Sequence, residues 1–232
     1  MQKSFWLVGF ILLINASFAQ ELTTNAVSMQ GAPKWVTVSR LNKISDRIER
    51  GLEWDIRRVR VIWYSDEAEF LKALPQSGGY DASVLALTLK TDQKILVGPK
   101  VKNEVFDGVF GHELAHVVLY QKYKQAIPAW LEEGLANFVS GNGRIDYKYL
   151  KTELSKNPVS IKTLTHPFGQ SAVAVKLHYM LSSAVMKMIE SHCKISDLLQ
   201  LSVGEKLESY LGTFCGISDL DAEFAKWLAR KN

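Results

Sequence analysis

Two histidines stand four residues apart with a glutamate beside the first, in His112-Glu113-Leu114-Ala115-His116. On a helix, positions i and i+4 share one face, with Cβ atoms about 5–6 Å apart. That separation lets both imidazoles bind one metal ion at about 2.0–2.1 Å per nitrogen. Glu113, one position on, reaches a water held by such an ion without being a ligand itself. The pattern is the H-E-x-x-H arrangement of metal-assisted hydrolysis. The ordinary alternative is a helix with two histidines on a solvated or partly buried face. The flanking Val109, Phe110, Leu114, Val117, Val118 and Leu119 weigh against it. They predict a largely buried helix, where polar rings need partners.

A catalytic zinc has three protein ligands and an open fourth position. The third ligand must come from another element. Pro128-Ala129-Trp130-Leu131-Glu132-Glu133-Gly134-Leu135-Ala136 begins one short loop after the first helix ends, so the two helices can return antiparallel. Glu133 lies 17 residues after His116. Glu132 is turned by about 100° on the helix and cannot share that role; it reads as an acidic first-turn residue favoured by the helix dipole. Asn137, four residues after Glu133 on the same face, can accept the second N–H of a zinc-bound histidine. A helix-end amide bonding backbone near Gly141 is the other reading of Asn137.

HELAH followed by PAWLEEGLA resembles the gluzincin zinc metallopeptidases, and more narrowly the bacterial peptidase MA-like proteins. The close match covers residues 105–140. A weaker one extends upstream through a strand-helix-strand segment and downstream to His178-Tyr179-Met180-Leu181-Ser182, similar to the family's helical Tyr-x-x-Ser segment. The resemblance implies a zincin-like fold with one Zn2+ ion, and makes Glu133, the glutamate directly before glycine, the third ligand beside His112 and His116. It implies peptide-bond hydrolysis by a zinc-activated water, with Glu113 as general base that later returns the proton to the leaving amine. It also implies Tyr179 as the oxyanion donor, with His178 as the alternative, because such sites use either a tyrosine or a histidine there. On a helix with Val173, Val175, Leu177 and Met180, both rings also read as core. Thermolysin-like gluzincins place an acid where this chain has Asn137, and a neutral partner would leave the ligand less basic. In this superfamily an edge strand upstream of the active-site helix pairs with an extended peptide, and residues 82–87 stand at that place. His166 and His192 read as non-ligands.

The elements that must position these residues follow from periodicity and breakers. Apolar residues recur at three and four over residues 39–54, predicting an amphipathic helix. Residues 59–63, 82–89 and 95–97 read as strands. Ser65 looks like the cap of a helix ending near residue 74. Helices are expected over 103–122 and from Pro128, placed in the first turn, to 139. Further helices are expected over 146–155, 171–191, 195–201, 204–211 and 218–230. Residues 20–33 read as a loose polar arm. Strands first and helices after indicate an α+β fold with a small mixed sheet and a mostly helical C-terminal part.

At 232 residues, 47% hydrophobic and 22% charged, the chain has ordinary globular composition. That excludes a disordered, collagen-like or multi-span membrane chain. A net charge of +4 without a basic, aromatic-interleaved stripe argues against nucleic acid. Residues 1–19 read as a secretory signal peptide cleaved after Ala19, leaving 20–232 as one domain. A retained anchor is the alternative, but a span needs about 20 apolar residues, and Asn15 interrupts the run. No later stretch is long enough to span a membrane. Export to the periplasm or medium would permit a Cys193–Cys215 disulfide; two buried thiols are the other possibility. The expectation is an exported zinc-dependent metallopeptidase acting on a peptide or protein. The alternative is a catalytically silent cell-envelope binding or assembly factor on the same fold, since so small a chain leaves little for substrate selection. An intact Glu113 argues against that alternative.

Overall fold

The computed structural model describes residues 20–76, 80, 83–164, 171–200 and 210–231. The expected signal peptide, His166, residue 82 of the expected edge strand and most of the helix expected over 204–211 lie outside them. Residues 20–33 form two strands rather than a loose arm: β1 (Gln20–Thr23) and β2 (Val27–Ala32) pair antiparallel. The reason lies in two residues. Val27 and Met29 point inward and are fully buried, while Ser28 and Gln30 face outward. Two apolar residues among polar ones are a weak signal alone; parallel pairing with β3 (Val59–Trp63) completes it. At Gly31, φ is +82°, and a Cβ would fall 2.4 Å from the Trp63 carbonyl oxygen.

With β4 (Ala86–Leu89) and β5 (Lys94–Val97), the sheet runs β1-β2-β3-β5-β4. Its centre is parallel and both edges are antiparallel. Met29, Val61 and Ile95 stand side by side in register and form one buried row. Leu87 and Leu96 project to the other face, against Phe70 and Leu74 at α2 (Glu67–Ala73). Asp66, not Ser65, caps α2, accepting from Glu69 N at 2.9 Å. β4 is shorter than the expected 82–89 because Gly98-Pro99 ends its partner; Gly98 N to Leu85 O, at 2.8 Å, is the last bond.

α1 (Val38–Leu52) buries Leu41, Ile44, Ile48 and Leu52 on one stripe. That stripe packs on α3 (Phe106–Tyr123) and α4 (Ala129–Ser140). Arg40 of α1 reaches Asn103 and Asp107 at the entrance of α3, with Nη2 2.8 Å from Asn103 O, and lies over the Phe106 ring. Lys122 Nζ donates to Leu52 O at 2.8 Å and satisfies the end of α1. α3 is apolar on nearly all sides, as suits a helix at the centre of a fold. Pro128 caps α4 rather than lying in its first turn.

The last third is helical: α5 (Tyr147–Lys156), α6 (Ala172–Glu190), α7 (Ile195–Leu199), α8 (Leu211–Cys215) and α9 (Leu220–Ala229). A disulfide joins Cys193 to Cys215 and ties the segment after α6 to α8. The fold is α+β, a small mixed five-stranded sheet followed by a mostly helical part. Among the described residues, no helix is long and apolar enough to cross a membrane.

Candidate metal centre

Helical spacing puts His112 and His116 on the same side of α3, and α4 returns beside them with Glu133. His112 Nε2 lies 3.0 Å from His116 Nε2. The Glu133 carboxylate completes the triangle, Oε2 3.4 Å from His112 Nε2 and Oε1 3.6 Å from His116 Nε2. Donor atoms bonded at 2.0–2.1 Å to one tetrahedral ion stand about 3.3 Å apart. The three observed separations bracket that value. All three residues are buried, Glu133 to 1% exposure. Burial opposes a charge on His112, but Glu133, Glu113 and Asn137 outweigh it and raise its pKa. The cluster therefore favours positive charge at its centre. His112, His116 and Glu133 could hold a metal ion.

The two histidines are secured differently. His116 Nδ1 lies 2.6 Å from Glu132 Oε1. Lys90, just past β4, donates to the same carboxylate at 2.7 Å. Burial pushes the Glu132 carboxyl up, but His116 and Lys90 more than reverse this, bringing it down to about 2. Glu132 is indeed turned away from the triangle, but it is a buried partner of His116, not merely an acid in a first turn. Asn137 gives Nδ2 to Ser183 Oγ at 3.0 Å. Its amide stands beside His112 and favours the charged ring, yet His112 Nδ1 closes no hydrogen bond of normal geometry.

Glu113 faces a cavity of about 650 Å³ shared with the cluster. The Thr88 hydroxyl on β4 sits 2.7 Å from Glu113 Oε2 and 2.8 Å from the Glu113 carbonyl oxygen. Sequence reasoning missed both Thr88 and the Lys90–Glu132 pair. Thr88 on β4 and Lys90 just past it stand two residues apart and reach α3 and α4, a signal that gains meaning only once β4 is known to flank α3.

Tyr179 of α6 lines this cavity, its ring edge-on to His112 with centroids 5.9 Å apart. Burial, then the charges of Glu133 and Glu113, raise its pKa, so its phenol keeps its proton. His178 is buried and is not among the cavity-lining residues. Tyr80 also lines the cavity. Residues 83–88 run along one wall, with β4 at the sheet edge. His192 stands apart, 3.4 Å from Glu223. No family model and no curated protein matches this chain.

Proposed function

We propose that the chain is an exported zinc-dependent metallopeptidase of gluzincin type. The observation that carries this reading is the triangle of His112, His116 and Glu133 beside the Glu113 carboxylate, which faces the same cavity. Two imidazoles and a carboxylate suit zinc and leave a fourth position for chemistry. When bound, zinc supplies Lewis acidity, polarising a scissile carbonyl and making water easier to deprotonate.

Glu113 takes the proton of the attacking water and passes it to the leaving amine. The Thr88 hydroxyl fixes the carboxylate that does so. Tyr179, protonated at neutral pH, donates to the oxygen on which charge develops. An extended peptide adds alongside β4, the edge strand among the described residues, whose backbone groups accept any sequence. Export follows from residues 1–19, and mass spectrometry of the mature protein should find Gln20 at its N-terminus.

The decisive test measures zinc per chain and peptide hydrolysis together. The parent should bind one zinc and His112→Ala should lose it. Glu113→Gln should keep zinc and lose hydrolysis. Equal zinc in parent and His112→Ala ends the metal reading. Zinc binding with a fully functional Glu113→Gln chain would instead indicate a binding factor.

A further inference from the structure

The cavity carries its charges unevenly. Its lining includes the cations Lys90, Arg144 and Lys176 and the carboxylates Glu113 and Glu133. Lys90 is neutralised by Glu132. A divalent ion at the histidines would balance Glu113 and Glu133 by formal charge. Arg144 and Lys176 remain: both are exposed, and neither pairs with an acid among the described residues.

Both sit on anchored supports. Lys176 Nζ lies 4.3 Å over the Tyr149 ring, a cation–π contact that holds the amine. Arg144 follows a tight turn in which Gly141 adopts φ +72°. Asn142 N bonds Asn137 O at 3.1 Å, and Arg144 N bonds Asn142 O at 3.2 Å. Gly143 abuts Ser183, where a Cβ would lie 3.2 Å from Oγ. The backbone under Arg144 is thus tied to the helices that carry Glu133 and Tyr179.

We infer that the cavity takes a substrate bearing a carboxylate close to the bond cleaved, with Arg144 and Lys176 as its anion subsite. This deepens the peptidase reading and rests on it. Cations lining a low-dielectric cleft concentrate anionic ligands, and a guanidinium matches a carboxylate in two parallel hydrogen bonds. A peptide offers that group in two forms, a free C-terminus or an Asp or Glu side chain. For exposed cations the expected advantage is about fivefold in kcat/KM, and it weakens with salt.

The test uses the zinc-loaded full mature chain and quenched-fluorescent peptide mixtures in matched forms. One pair differs in a free or amidated C-terminus; the other exchanges Glu for Gln. The carboxylate form should be cut about fivefold faster at low salt, with the ratio falling towards one at about 0.5 M salt. The ratio should also fall towards one in the Arg144→Gln, Lys176→Gln double variant, whose fold is checked by its melting temperature and zinc content. An advantage confined to the free terminus identifies the chain end as ligand; one confined to Glu identifies a side chain. Equal rates for acid and amide, or a preference that survives the double substitution, overturn the inference. If no peptide is cut, the peptidase reading fails separately. The same peptides titrated by fluorescence anisotropy then decide the subsite: tighter carboxylate binding lost in the double variant upholds it, and equal binding removes it.

Discussion

With Glu132 ionised, His116 Nδ1 must carry a proton to meet it, which leaves the Nε2 lone pair facing His112 and Glu133. The carboxylate thus selects the tautomer that a metal needs. Glu132→Gln removes the charge and leaves Lys90 without its anion. Zinc affinity should fall about 10–100-fold, read by competition with a chromophoric chelator; unchanged affinity would deny Glu132 this part. Thr88 acts on Glu113 instead, the base of the proposed reaction. Thr88→Val keeps the shape and deletes the hydroxyl, so kcat should fall about tenfold, the cost of one hydrogen bond to a charged group. Zinc content should stay at one per chain, and Thr88→Ser should restore the rate. A Thr88→Val chain as fast as the parent would show that Glu113 needs no such support. The two histidines are legible from residue types and spacing, because i, i+4 geometry is local; Glu133, on the next helix, is singled out as third ligand by the resemblance of its Trp-Leu-Glu-Glu-Gly segment. The partners of Glu132 and Glu113 are not: Lys90 and Thr88 come from 42 and 25 residues away, and sheet register alone brings them in.

At the scale of elements, α4 and α6 meet closely at Gly134. A Cβ on Gly134 would fall 2.3 Å from Met186 Cγ and 2.8 Å from the Ser182 carbonyl oxygen. Glycine directly after Glu133 is therefore what lets the helix carrying Tyr179 approach the helix carrying the carboxylate. Gly134→Ala should force the two apart at a cost of about 1–3 kcal/mol. That should lower the melting temperature by about 2–12 °C for a domain of this size, and the shift in Tyr179 should depress hydrolysis more than zinc affinity. A calorimetric scan matching the parent would show that the helices close over the added methyl at no cost. The sequence reveals α1, α3, α4 and α6 because each carries a long apolar pattern and a recognisable end. It hides β1 and β2 because Val27 and Met29 alone are a short pattern, and their burial depends on β3 and β5. Ser65 and Asp66 are both good caps, and only the backbone decides between them.

At the scale of the molecule, the site is a seam between two parts. β4 and α3 bring Thr88, Glu113 and the histidines; α4 and α6 bring Glu133 and Tyr179. A metal held across α3 and α4 binds the folded chain and not the unfolded one, so its affinity becomes stability. At zinc concentrations about 100 times the dissociation constant, the gain is about 2.7 kcal/mol. For a chain of this size that raises the melting temperature by about 5–11 °C. The disulfide closes a separation of 22 residues, neither of its cysteines lines the cavity, and it contributes about 3 kcal/mol in the chain-entropy model. The two effects should therefore add. A chelator should lower the melting temperature equally in oxidised and reduced protein, and a reductant should lower it equally with and without zinc. His112→Ala should respond to the reductant and not to the chelator. A chelator effect that persists in His112→Ala would place the metal somewhere other than this triangle.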